Sequence, residues 1–146
     1  MAQDYSRPVR IAVLAKMRSS PLVLAFIPAA SQFSSTVPVS RTFPFTRYGA
    51  PIATPFLASG LDSSTSDFTI HSFTKPLLAP DGTMLRLAED QSHFIADAIV
   101  QALGDQTLDL GDKKARANWL GTNQLEDPAE TELWHAVIRF RAEVAG

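Results

Sequence analysis

The chain has 146 residues, 45% hydrophobic and 19% charged, with a formal net charge of −2 and no cysteine. That length sets one domain, 1–146, as the expectation, and the composition suits a chain that buries a core. Disulfides and thiolate metal sites are excluded, and 13 dispersed basic residues supply no dense cationic patch for tight non-specific nucleic-acid binding.

The opening MAQDYSRPVR lacks the basic-then-apolar order of a secretion signal. The longest apolar run, Leu22–Ala30, is broken by Pro28 and too short to span a membrane. A soluble protein is the expectation. Ser6–Arg18 reads as a helix, with Ser6 as N-cap, Pro8 in the first turn, and Val9, Ala12, Val13 and Met17 on one face widened by Leu14. Pro21–Ile27 reads as a second short helix, stopped before Pro28. Ala29–Ser66 is the least regular third, with Pro38, Pro44, Pro51 and Pro55 excluding a central strand from most of its windows. Within it, Thr42–Tyr48 is expected as an edge strand carrying Phe43, Phe45 and Arg47 on one side, and Ile52–Ser59 as its neighbour. A Pro- and Ser-rich insertion is expected at about 50–67, where LDSSTSD has the composition of an exposed loop.

DFTIHSFT, Asp67–Thr74, alternates as a strand does, with Phe68 and Ile70 to one side and Thr69, His71 and Phe73 to the other. After a turn region, Lys75–Gly82, the stretch Met84–Leu103 places Leu87, Phe94, Ile95, Ala98, Ile99, Ala102 and Leu103 at steps of three and four, the stripe of an amphipathic helix. Gly104 follows as a left-handed C-terminal cap, and Thr107–Leu110 reads as extended. The last third is a hairpin, Ala115–Leu125 and Glu132–Val144, turning through Pro128 at the second position of a type I turn. Its second arm alternates Trp134, Ala136, Ile138, Phe140, Ala142 and Val144 with His135, Val137, Arg139, Arg141 and Glu143, the pattern of an antiparallel strand with one wet face. At ~3.3 Å per residue that arm reaches about 43 Å, so either part of the hairpin projects or a bulge absorbs the excess. The expected fold is α+β: an antiparallel sheet with one main amphipathic helix packed on a face, an N-terminal helix and a C-terminal β-hairpin.

Chemistry is sparse. His71, His93 and His135 share no metal-binding spacing; the first and last read as strand-face residues and His93 as a helix-surface residue. No G-x-S-x-G elbow, EF-hand loop or phosphate-binding glycine pattern occurs, and Asp105, Asp109 and Asp112 read as a solvated connection. Trp119 and Trp134 read as core or cross-strand packing, with an interface anchor as the alternative. Arg139 and Arg141 share a strand face with Glu143, and cross-strand pairing with Arg116 or Asn118 is the plainest role for them.

Taken in order, the N-terminal helix, SSPLVLAFI, irregular early strands, DFTIHSFTKP, the amphipathic helix and a closing WHAVIRFRAEV resemble the tail-completion, or tail-terminator, proteins of long-tailed bacteriophages and gene transfer agents. The resemblance runs from Arg10 to Val144 and departs from the family's pattern at the long Ala50–Asp67 stretch. It implies a structural virion protein, not an enzyme, with no cofactor and no catalytic or metal-binding residue. Made in the host cytoplasm, it would sit at the head–tail junction as a homo-oligomeric, commonly hexameric, ring. That ring would cap the tail tube protein, dock to the head-side connector or stopper protein, and let DNA pass without specific binding. Candidate partner contacts are Phe56, Leu57, Leu61, Leu77 and Leu78, apolar residues outside the periodic elements, together with Arg139 and Arg141. A head–tail stopper is the nearest alternative. From other classes, a small hydrolase or ligand-binding α+β domain would need two histidines to meet a carboxylate in a pocket, and a nucleic-acid module would need Lys113, Lys114, Arg116, Arg139 and Arg141 on one face.

Overall fold

In the structure, a computed structural model, residues 4–55, 64–127 and 132–145 are described. The fold is α+β: three helices lie on one face of a curled sheet, and among the described residues no helix covers the other face.

Helix α1 (Ser6–Ser19) buries Val9, Val13, Leu14 and Met17. The N-cap position falls on Tyr5 instead of Ser6 and has no side-chain cap bond; the Asp4 carboxylate accepts the Ser6 N–H at 2.8 Å, and the Ser6 hydroxyl, then this backbone bond, hold its carboxyl below the usual range. Helix α2 (Pro21–Leu24) is shorter than expected, with the Ser20 hydroxyl accepting the Val23 N–H at 3.4 Å. The chain continues as hydrogen-bonded turns to Ile27, which is fully buried.

The sheet is organised by two long strands. Strand β4 (Ser64–Thr74) pairs antiparallel with β9 (Trp134–Ala145) from Ser64 opposite Val144 to Thr74 opposite Trp134. On its far side β4 is shared between β2 (Phe45–Tyr48) and β3 (Ile52–Pro55). Strand β1 (Gln32–Phe33) lies parallel to β2, so β2 is not the edge. Nor does β3 pair with β2: both pack end to end along β4. The expected loop at LDSSTSD is already strand from Ser64 onward, where Ser64 and Ser66 point inward and are buried, so small polar side chains occupy core positions that a hydrophobic pattern would not mark. Beyond β9 come β8 (Lys114–Glu126) and then β7 (Gln106–Asp109), which covers only Lys114–Ala117. The hairpin does not project, because β4 backs β9 along its length. The surplus residue of the hairpin is absorbed by a bulge between Trp119 and Gly121.

Helix α3 (Ala88–Leu103) crosses β4, β9 and β8 and begins later than the periodicity predicts. Met84–Arg86 is strand β6, paired with β5 (Leu77–Leu78) around Pro80-Asp81-Gly82. There the Asp81 carboxylate accepts the Thr83 N–H at 2.9 Å and Gly82 adopts φ +86°, which favours glycine. Ile95, Ile99 and Leu103 are buried as expected, but Leu87 and Phe94 are about half exposed. The helix instead buries Ala88, Ser92 and Ala96 as well: Thr74 Oγ1 donates to the Ala88 carbonyl at 3.1 Å and Ser92 Oγ to Gln124 Oε1 at 2.6 Å. Displaced from the core, Phe94 stacks on Phe26 at 6.5 Å and lies under the Arg86 guanidinium at 4.6 Å. Gly104 is not left-handed (φ −63°); the positive φ falls on Asp105. Gly104 is required for a different reason: a Cβ there would lie 2.7 Å from the Val100 carbonyl oxygen.

Candidate functional site

Three surfaces of this scaffold are not explained by its own core. The first is the open face of β2, β4 and β9. In a strand alternate side chains face opposite ways, so Phe45 and Arg47, then Thr69, His71 and Phe73, then His135, Arg139 and Arg141, all point away from the helices. Phe45 stacks on Phe73 at 4.8 Å, and Phe73 on His135 at 4.3 Å. His71 Nδ1 lies 2.8 Å from His135 Nε2, and His71 Nε2 lies 3.0 Å from Thr69 Oγ1. Two neutral rings satisfy this row with their protons ordered in either direction. Neutrality is enforced: burial, then the Arg47 guanidinium, then His135 push His71 down to about 4. Burial and Arg47 also lower His135, against an opposing pull from Asp127.

Both histidines are thus strand-face residues, and His93 is exposed on α3 with Glu89 at 4.0 Å. What sequence reasoning missed is that His71 and His135 meet. The signal was there in principle: adjacent antiparallel strands bring their same-face positions together, but the register was needed to see it. Among the described residues no three His, Cys, Asp or Glu side chains gather to hold a metal ion, and the row ends at Thr69. Beside it, Arg41, Phe43, Phe45, Arg47, Phe73 and Asp127 line a cleft of about 270 Å³.

The second surface is the β5–β6 hairpin, where Leu77, Leu78, Met84 and Leu85 are 41–64% exposed. The third is the outer edge of β8. Past the end of β7, Asn118–Glu126 has no second strand beside it among the described residues, and Trp119, Leu120 and Leu125 along it are about half exposed. Trp119 is accordingly not core; its indole N–H donates to Thr122 Oγ1 at 3.0 Å.

The remaining expected residues sort plainly. Phe56, Leu57 and Leu61 lie outside the described residues. Arg141 sits opposite Asn118 in register and forks onto Asp67 with bonds of 2.8 and 3.1 Å, a pairing that raises its pKa. Arg139 faces Gly121 and is exposed. Asp105 pairs with Arg116 at 3.1 Å and Asp109 with Lys114 at 3.3 Å, as a solvated connection would. Among the described residues no helix is long and apolar enough to cross a membrane.

Comparison with known proteins places this geometry. A search of curated proteins finds no match. Among solved structures, a chain in the virion of a native gene transfer agent (GTA) particle has the same fold, with a TM-score of 0.75, 16% identity, and coverage of 94% of this chain and 95% of that one. The family described as "Tail completion protein gp17" matches residues 11–145, nearly the whole sequence, and the chain belongs to that family.

Proposed function

We propose that this tail-completion protein is one subunit of a ring that caps the tail tube and joins it to the head-side connector, leaving a passage for DNA. The observation that carries this reading is the presence of two unlike adhesive surfaces on one chain: the open β8 edge Asn118–Glu126 and the apolar β5–β6 hairpin. An unpaired strand edge invites pairing with another chain. Unlike surfaces meeting head to tail close into a ring when the rotation between copies permits. Family membership and the fold shared with a chain of a GTA virion particle support a structural part in the virion tail. In this reading Leu77 and Leu78 contact a neighbouring copy or the tube, Arg139 meets a partner across the open face, and the work is assembly rather than catalysis.

The test is to mix the purified chain with tail tube protein and image the product. Rings on tube ends are expected; strict monomers that bind neither tube nor connector would overturn the proposal. Particles made without the protein should carry overlong or unjoined tails. Joined heads that leak DNA would instead point to a stopper.

A further inference from the structure

The chain is weakly acidic overall, yet the cleft on its open face is basic. Among the described residues its wall holds Arg41 and Arg47 with one carboxylate, Asp127. We propose that this cleft binds an acidic segment of another virion protein, seating a carboxylate between Arg41 and Arg47 and an apolar or aromatic side chain on the floor of Phe43, Phe45 and Phe73. The inference rests on the reading of the chain as a joining protein and names the chemistry of one joint.

Three features carry it. The first is charge left uncompensated: among the described residues neither Arg41 nor Arg47 has a carboxylate within ion-pair distance, whereas Arg116 and Arg141 each have one. Arg47 is half-buried, so its lost hydration is offset only if an anion arrives. The second is preorganisation. Arg41 lies over Phe43 and Phe45, 5.8 and 5.5 Å from their centroids, and these ring contacts limit the freedom of its fork before a carboxylate binds. The third is the neighbourhood. His71 and His135 next to Arg47 are held neutral, so the positive charge at the cleft comes from the guanidinium groups and not from the imidazoles. A cleft of about 270 Å³ accommodates one or two side chains and not a duplex. Of the cations further along the open face, Arg141 is already paired with Asp67, so the size of the cleft is what favours a peptide over nucleic acid.

The probe is acetyl-Phe-Glu-Asp-Phe-amide, titrated into the full chain at low salt while the His71 and His135 imidazole and arginine Nε–H resonances are followed by NMR. Saturable shifts confined to the cleft are expected. The Phe-Gln-Asn-Phe analogue should bind at least about tenfold more weakly, and R41Q and R47Q should each weaken the acidic peptide about 5–10-fold. Arg41 is exposed, so R41Q keeps the test valid even where R47Q perturbs folding. Equal binding of the neutral peptide, displacement of the acidic peptide by a short DNA duplex, or no shift at all would overturn the proposal. The readout does not depend on assembly. Rings without peptide binding remove the cleft alone, and peptide binding without rings removes the ring alone.

Discussion

Strands β2, β4 and β9 carry a ladder of three stacked rings on each face, and the two ladders have unlike fates. On the helix-covered side Tyr48, Phe68 and Phe140 stack with centroids 5.3 Å apart at both steps and are sealed from solvent. On the open side Phe45, Phe73 and His135 stack more closely, at 4.8 and 4.3 Å, but Phe73 and His135 stay half-buried. The inner ladder is explained by the fold, since removing those rings from water is what holds helices to sheet. In the outer ladder Phe45 is sealed as well, beneath Phe33, Phe43 and Arg41, but Phe73 and His135 have no such cover. Equal geometry with unequal burial separates side chains that stabilise this chain from side chains shaped to meet another one.

The largest test of that contrast is Phe140→Ala against Phe73→Ala. Deleting a fully buried ring should cost about 3–5 kcal/mol in chemical denaturation. Deleting the half-exposed one should cost about 1–2 kcal/mol and mainly weaken binding at the cleft. Equal losses would mean that both ladders are structural. Next in size is Gly49→Ala. The Gly49 N–H donates to the Thr69 carbonyl at 2.7 Å, and an added Cβ would run into Thr69 Oγ1 and come within 2.9 Å of His71 Nε2. Breaking the Thr69–His71 bond in this way should cost about 1–3 kcal/mol and shift the His71 imidazole resonances. An unchanged spectrum would show that the row repacks freely.

The two faces were also unequally legible. Alternation alone identified β9 and the inward Phe68 and Ile70, because a buried face imposes period two on whatever fills it. The open face answers to register, which no single segment encodes, and so the meeting of His71 with His135 and of Phe45 with Phe73 stayed hidden. The turn of α3 was misread for a related reason. Phe94 looked like a core residue by size, but the helix buries the small Ala88, Ser92 and Ala96 and leaves Phe94 half exposed. The β5–β6 hairpin had a visible signal in Pro80-Asp81-Gly82, which the stronger helical periodicity downstream obscured. The family itself was legible in the order of elements, from the paired early helices to the closing R-F-R-A strand.

A smaller effect is expected from pH. The folded pKa of His71 lies at about 4, below the ordinary 6.5. In between, the unfolded chain binds the proton that the folded chain refuses, so stability falls as pH falls. The contribution is fully present above about 6.5, declines from there to about 4, and is exhausted below. The whole interval would correspond to more than 3 kcal/mol, but His71 is half exposed, so a loss of about 1–2 kcal/mol is the reasonable expectation. Denaturation midpoints measured from pH 7 to pH 4 should show that decline, and His71→Gln should flatten part of it. An identical slope in the variant would assign the titration elsewhere.

The smallest effect is expected at the other end of the open face, where Asp67 and Arg141 face each other across β4 and β9. Their pairing is bidentate but solvent-exposed, and such pairs exchange one well-hydrated arrangement for another at little net gain. Asp67→Asn, Arg141→Gln and the double variant should therefore melt together within the reproducibility of the measurement. Because Arg141 already has its carboxylate while Arg47 has none within ion-pair distance among the described residues, Arg141→Gln should also leave acidic-peptide binding unchanged, so the same peptide discriminates between the two arginines on a single sheet face. Loss of ring assembly in Arg141→Gln, with folding and peptide binding intact, would instead put this residue in the contact between copies and extend the binding role of the open face beyond the cleft.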